Sequence, residues 1–414
     1  MLLDFATVAE LDVSGTLDRL SNAPPLTIVV PVFNGGSAVG ECLDALRRNA
    51  TGTHRILLID DASTDPAIVA LLNETAAHAP FELIRHRRNL GYTATVNEAI
   101  ATVAPDDVLL LNSDATIPPL AWQRMRAALY SHPSGGTASA VSDWAGTLSM
   151  PVPHQGNVWH PKRPWDDIGR LLMRGMPVWT QESPTGHGFC FLISRALIDE
   201  IGAFDQAAFP LGYGEEVDFS QRALRAGFVN LVVPSVIARH RRSQSFGTDA
   251  RTELIAASRP VLAARYPALL EDVANWETSV GDLFIRATAR RVQHTRAGAV
   301  AERVLLVMPA DAAPPPTLRI GDLAFSVRDG DEPVEPASTT PVSARAGVAD
   351  LAGALLANAV ERVRIARTLR GAAPVEQLQR ASRLLGVPVD WTGSAAPVPR
   401  KGTGPGMPLR PSAT

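Results

Sequence analysis

The sequence predicts an α/β protein: a mostly parallel central sheet flanked by helices, followed by a smaller α/β segment. Three observations carry that prediction. Between residue 26 and about 240, short apolar runs alternate with helix-like segments, the rhythm of βαβ units joined by right-handed crossovers. Those runs are continuous in Val, Ile and Leu rather than strictly alternating, which suits strands covered on both faces. And 414 residues, 46% of them hydrophobic and 20% charged, exceed one domain and can bury a substantial core.

The elements follow in order. "LTIVVPVFN" (26–34) reads as a buried strand and "AVGECLDALRRN" (38–49) as the helix after it. "HRILLIDD" (54–61) and "AIVALLNETAAH" (67–78) repeat the pair, as do "FELIRH" (81–86) and "TATVNEAIATV" (93–103). "DDVLLLNSD" (106–114) is a fourth strand. Residues 131–185 are rich in Pro, Gly and Trp and show no period. "GFCFLISRALIDEIG" (188–202) returns to strand and helix, with Phe189 and Phe191 expected on one face and Cys190 on the other. "EEVDFSQRALRAGF" (215–228) is an amphipathic helix with Gly227 as its C-terminal stop, and "NLVVPSVIARH" (230–240) a last pair of strands. Residues 251–300 read helical. "RVLLVMP" (303–309) is a strand, with helices expected at about 348–370 and 374–386. The chain thus divides into an N-terminal extension (1–25), a main domain (26–250), a helical extension (251–300), a small α/β segment (301–393) and a Pro/Gly/Ala-rich tail (394–414) expected to be disordered.

Bulk chemistry narrows the function. A net charge of −3 gives no reason to expect nucleic acid as a partner. Two cysteines, Cys42 and Cys190, make neither a disulfide framework nor a zinc site, and Cys190 is expected to pack rather than react. The first 25 residues carry Asp4, Glu10, Asp12 and Asp18 against Arg19, unlike a signal peptide. With no run near the roughly 18 apolar residues of a span, the expected location is the cytoplasm, any membrane association being peripheral on its cytoplasmic face.

Polar chemistry gathers where strands end. In an open parallel sheet, ligands sit beyond the carboxyl ends, where the strand order reverses. Here those ends carry Pro31 to Asn34, the adjacent Asp60 and Asp61, Asn89 to Gly91, and Asn112 to Asp114. Two neighbouring carboxylates repel each other, so paired acids at a strand end suit a cleft where a base or ribose donates hydrogen bonds. Asp61 or Ser63 as an ordinary helix cap, and Asn89-Leu90-Gly91 as an ordinary turn, are the competing readings. Glu215, Glu216 and Asp218 open a helix, where the macrodipole favours acids in any case. Three clustered carboxylates should nonetheless raise at least one pKa, as a general base needs. His240 stands among Arg239, Arg241 and Arg242, cations that call for an anion nearby; Arg241, Arg242 and Ser243 are candidates for a diphosphate.

The stretches "TIVVPVFNGGSAVGECLDAL", "ILLIDDASTD", "RNLGYTATVNEAI", "LLLNSDATIPP" and "GYGEEVDFSQRALRAGF", in this order, resemble the inverting, GT-A-fold nucleotide-sugar glycosyltransferases of family two. The likeness is strongest to bacterial rhamnosyl- and galactofuranosyl-transferase-like members and covers residues 26 to about 245. It implies a nucleoside-diphosphate-sugar donor, UDP- or dTDP-linked, and a saccharide or lipid-linked glycan acceptor of cell-surface polysaccharide synthesis. It places base and ribose against Pro31, Phe33, Asn34 and Asp61, beside Asp60, and the rest of the donor near Arg88, Asn89, Gly91 and Asn97. Asn112-Ser113-Asp114 stands at the family's Asp-x-Asp-type metal motif, with Asn in its first position, and His240 matches a His that completes the shell of Mn²⁺ or Mg²⁺. Glu216 takes the position of the general base, with Glu215 and Asp218 as alternates. "TGHGFCFLIS" (185–194) resembles the segment lining the sugar and acceptor pocket, where Gly186 and Gly188 would let the backbone approach closely. The segment after residue 301 resembles, more loosely, the opening half of a Rossmann-like, GT-B-type glycosyltransferase domain. Two rival readings stand beside this one: a non-catalytic nucleotide-sugar-binding module, and a nucleotidyltransferase. The latter would want a basic phosphate loop that "NGGSAVGE" lacks.

Overall fold

The computed structural model of the chain describes residues 12–50, 55–176, 180–241, 248–295, 300–309, 318–320, 323–329, 332–333 and 348–392. The first four strands are β1 (Leu26–Val32), β2 (Arg55–Asp60), β3 (Phe81–Arg85) and β4 (Asp107–Leu111), each close to its expected bounds. Helices α2 (Ser37–Asn49), α3 (Pro66–Ala76) and α4 (Tyr92–Thr102) join them. α1 (Val13–Ser21) precedes the sheet. β1 pairs in parallel with β2 from Thr27 opposite Arg55 to Val32 opposite Asp60, and with β4 from Leu26 opposite Asp107. β3 pairs with β2 in the same sense.

The continuous apolar runs are explained by two cores. Ile28, Val30 and Val32 face one cluster with Ile56, Leu58, Leu109 and Leu111; Val29, Leu57, Ile59, Val108 and Leu110 face another with Phe219 and Ala223. Successive side chains point to opposite faces, and both faces are dry.

The second half of this sheet was less legible. Residues 131–185, without a period in sequence, contain β6 (Gly135–Ser142), a single 3₁₀ turn at Gly146–Leu148, α6 (Trp165–Gly175) and β7 (Gln181–Ser183). They follow the two-residue β5 (Ala115–Thr116) and α5 (Ala121–Leu129). β8 (Cys190–Ile193) leads to α7 (Arg195–Ile201), and α8 (Glu215–Arg225) ends before Gly227, whose φ of +86° suits the expected stop. The expected final strand pair is instead one strand, β9 (Val229–His240); it stays continuous because its register against β6 shifts between Val233 and Ile237, absorbing Pro234. The strand order is β3-β2-β1-β4-β8-β6-β9-β5, with β7 also on β9. β8 runs antiparallel to β4 and β6, whereas the β3-β2-β1-β4 stretch is wholly parallel, as expected. Phe189 and Phe191 do not share a face. Phe189 precedes the strand and joins the cluster of Cys190, while Phe191 packs edge-on against Phe219 in the other core.

Helices α9 (Thr248–Arg265), α10 (Leu269–Glu277) and α11 (Val280–Gln293) fill the expected helical extension. A second sheet follows, from β10 (Arg303–Pro309), β11 (Leu318–Ile320), β12 (Leu323–Asp329), β13 (Glu332–Pro333), β14 (Arg362–Ala366) and β15 (Val389–Thr392), with helices α12 (Val348–Ala357) and α13 (Ala373–Leu384). β10, β14 and β15 are parallel; β12 runs antiparallel to β10. The helix expected to reach about 370 therefore stops at Ala357, because "RVRIA" buries Val363 and Ile365 as a strand beside β10. Leu17 and Leu20 of α1 join Leu351, Leu355 and Val375 in this second core, so the N-terminal extension packs on the C-terminal segment. No described helix is long and apolar enough to cross a membrane. The expected disordered tail lies outside the described residues.

Candidate active site

After β3 the chain crosses to the far side of β1 to form β4, so the strand order reverses between β1 and β4. A cleft of about 1160 Å³ opens beyond their carboxyl ends. Pro31 and Phe33 enter it from the end of β1, Asp61 from the end of β2, and Asn89 and Gly91 from the turn before α4. Asn112, Ser113 and Asp114 follow β4, and Gly188 precedes β8. His240 closes β9; Glu215 and Glu216 open α8. Residues drawn from seven separate stretches of chain thus share one pocket.

Asp61 does not cap the following helix. That task falls to Asp65, whose carboxylate accepts from the Ala67 amide at 2.9 Å ahead of Pro66. Asp61 instead organises the cleft's rim: it accepts from the Leu90 amide at 2.7 Å and the Gly91 amide at 3.0 Å, and its Oδ1 lies 2.8 Å from His86 Nδ1. Gly91 sits at φ +87°, and a Cβ there would come within 2.8 Å of the Pro210 carbonyl, so only glycine lets this turn lie against the loop before α8.

Asp114 and His240 face each other because β5 pairs antiparallel with the end of β9, Ala115 opposite His240. Asp114 Oδ1 lies 3.4 Å from His240 Nε2. His240 Nδ1 is 3.1 Å from the Trp144 carbonyl, which can only accept, so Nδ1 is the donor there and Nε2 is the ring nitrogen turned toward Asp114. The ring stacks on Phe189 at 5.1 Å, and Asp143 accepts the His240 amide at 2.8 Å. Among the described residues no three His, Cys, Asp or Glu side chains gather as a metal cage. The Asp114–His240 pair still fits a hard divalent ion: two ligands at roughly 2.1 Å and right angles stand about 3 Å apart.

Glu215 and Glu216 start α8 behind Gly214, whose φ is +145° and whose missing Cβ leaves room for the Phe209 ring. The Gly214 amide donates to Glu215 Oε2 at 3.0 Å and Glu216 Oε2 at 3.3 Å. Burial pushes the Glu215 carboxyl well above the usual range, and Glu216 beside it adds to the rise. Burial also raises Glu216, opposed by backbone amides and by a hydrogen bond from Glu215. The pair therefore holds its last proton more tightly than a lone carboxyl would, the larger rise falling on Glu215, and both side chains line the cleft.

The other expected residues lie elsewhere. Asn34 Oδ1 accepts from the Thr64 and Asp65 amides, tying the β1 end to the loop before α3. Asp60 is fully buried on Arg85 at 2.7 Å and the Ser63 amide at 2.8 Å. Arg88 is exposed outside the lining residues. Asn97 exchanges hydrogen bonds with both backbone groups of Phe204. Gly186 backs onto the Phe191 ring, 2.1 Å from where its Cβ would sit, and does not line the cleft. Asp218 gives one oxygen to Arg222 at 2.9 Å and the other to Arg265 and Tyr266, both at 2.7 Å, a place for a buttress rather than a base. The anion that Arg241 and Arg239 meet is the protein's own Glu41, at 2.8 and 3.9 Å. Arg242 and Ser243 lie outside the described residues. Cys190 is buried with its thiol pushed up to about 12, as packing requires.

Sequence reasoning missed Tyr92, Trp144, His187 and the α9 residues Ser258 and Arg259, all of which line the cleft. Two of these had a local signal: Tyr92 follows Gly91 directly, and His187 stands between two glycines. Burial, with Glu215, Glu216 and Asp114 around it, pushes the Tyr92 hydroxyl well up, so it stays a proton donor.

Part of the chain is similar to known proteins. Residues 27–202 match the family model described as Glycosyl transferase family 2. The N-acetylglucosaminyl-diphospho-decaprenol L-rhamnosyltransferase of Mycobacterium tuberculosis is 25% identical over 290 residues, covering 63% of this chain and 91% of that protein. The O-antigen biosynthesis protein RfbC of Myxococcus xanthus is 31% identical over 117 residues, 28% of this chain and 9% of that protein. Among solved structures, a mannosyltransferase from Pyrobaculum calidifontis in complex with GDP-Man and Mn²⁺ superimposes with a TM-score of 0.45 at 17% identity, covering 70% of this chain and 80% of the other. Glu216 and His240 fall beyond the matched segment, so their candidacy rests on the cleft alone. Residues 27–202, less than half of the chain, are thus similar to Glycosyl transferase family 2.

Proposed function

We propose that this glycosyltransferase moves a sugar from a nucleoside-diphosphate donor, UDP- or dTDP-linked, to a hydroxyl of a saccharide or lipid-linked glycan, with inversion. One observation carries the reading: a carboxylate pair, the buried Glu215 and the half-buried Glu216, and an Asp114–His240 pair line the same cleft at the sheet's switch point. Direct displacement needs both functions at once, a base behind the acceptor hydroxyl and charge neutralisation on the departing diphosphate.

Pro31, Phe33 and the Asp61-organised turn form the wall for base and ribose. Asp114 and His240 Nε2 would hold Mn²⁺ or Mg²⁺, which when bound supplies positive charge to the leaving group. Glu216 accepts the acceptor's proton at Oε while Glu215 keeps its own and donates to Glu216, fixing the carboxylate's aim. Tyr92 offers a hydroxyl donor at the junction of the two sides. A cytoplasmic protein resting peripherally on a membrane fits a lipid-linked acceptor such as the mycobacterial relative's name describes.

The test is transfer from a panel of UDP-, dTDP- and GDP-sugars to saccharide and lipid-linked acceptors, with Mn²⁺, with Mg²⁺ and with chelator. Metal-dependent transfer from one donor class is expected. Nucleotide binding without product would instead favour a non-catalytic binding module, the reading to which Asn112 in place of an acid points.

A further inference from the structure

α9 lies outside the family-matched segment, yet it presents Ile255, Ser258, Arg259 and Leu262 to the cleft. Their spacing is one helix face. Ser258 touches the turn that carries the carboxylate pair: a Cβ on Gly214 would lie 3.0 Å from its own. The helix is pinned there by Arg265, which reaches Asp218 at 2.7 Å and Asp205 at 2.9 Å, and by Tyr266 on the same Asp218. Arg259 stands six residues before that pin, about 9 Å along the axis.

Arg259 is the one Lys or Arg among the described residues lining the cleft, which also holds Asp114, Glu215 and Glu216. It makes no hydrogen bond or ion pair with any described residue. Its helix neighbour Ser258 contacts Gly214, next to the carboxylate pair, so Arg259 lines the cleft on the side where the attacking hydroxyl must come, and its charge would offset the repulsion that the Glu216 carboxylate exerts on an anionic acceptor.

We propose that Arg259 binds a phosphate or diphosphate group of the acceptor and thereby selects phosphorylated acceptors over neutral ones. The proposal rests on the transferase reading above. A guanidinium donates two parallel hydrogen bonds to phosphate oxygens, which a neutral glycoside cannot accept with the same strength.

The test compares three acceptors bearing the same sugar, an alkyl diphosphate glycoside, a sugar 1-phosphate and a neutral alkyl glycoside, against wild type, Arg259→Ala and Arg259→Lys. Expected is a rise in KM of roughly tenfold or more for the phosphorylated acceptors in Arg259→Ala, with partial recovery in Arg259→Lys. KM for the neutral glycoside and for the donor should stay within about twofold. The diphosphate and monophosphate arms separate a lipid-diphosphate source from a simple phosphate ester. An equal rise for neutral and phosphorylated acceptors, a rise confined to donor KM, or no change overturns the proposal. Should wild type transfer no sugar, the function reading fails, and calorimetry with the alkyl diphosphate glycoside decides the anion site alone: wild-type binding that Arg259→Ala loses sustains it, and equal or absent binding in both removes it.

Discussion

The two sheets of this protein use the same βαβ grammar and spend their buried acids differently. In the second sheet Glu361, 4% exposed, is gripped by Arg170 at 2.8 Å with Arg174 at 3.9 Å, and Asp329 meets both Arg174 and Arg303. Those arginines come mostly from α6, so the acids fasten the second sheet to the first. In the first sheet Asp60, Asp107 and Asp218 are likewise matched by Arg85, Arg126, Arg222 and Arg265. Glu215 and Glu216 have no cation within ion-pair distance among the described residues, and they face a cleft. A buried acid with a guanidinium beside it is architecture. One without it costs stability and is kept for what it does.

The sharpest way to break that comparison is to neutralise one acid of each kind. Glu216→Gln should lower the transfer rate by about 10²- to 10⁴-fold while nucleotide affinity, read by calorimetry, changes little; unaltered turnover would remove Glu216 from its role. Glu361→Ala should do the reverse. Stranding Arg170 and Arg174 near a buried interface should cost about 3–5 kcal/mol in denaturant melts, with rate per folded molecule preserved. Gly91→Ala tests the rim: a left-handed Ala, pressed on the Pro210 carbonyl, should cost about 1–2 kcal/mol and weaken donor binding through the loop that Asp61 holds.

The smallest effect concerns pH. Burial raises the Glu215 carboxyl in the folded state, so folding binds its proton more tightly than the unfolded chain does. The stability this supplies is whole below the ordinary carboxylate range and is lost as pH rises through the raised value. Glu215→Gln, fixed in the uncharged form, should therefore match wild type in thermal melts at about pH 4 and exceed it at about pH 8. A difference that does not change with pH would mean the carboxyl is not held protonated.

Much of the fold and the cleft's residue types was legible along the chain. Continuous runs of Val, Ile and Leu marked β1, β2 and β4 because each residue has a core to enter on either face, and Gly, Asn and Asp marked where those strands stop. What the sequence left open turned on contacts between distant segments. A linear pattern could not show that Asp218 would be matched by Arg265, 47 residues on, while Glu216 would not. Nor could it show that β9 would stay whole through Pro234, that "RVRIA" would pair with β10 rather than extend a helix, or that α9 would bring Arg259 to the mouth of a cleft built elsewhere. Periodicity is set by the local backbone and can be read residue by residue. The balance of charge in a pocket is set by which side chains meet, and only the folded chain decides that.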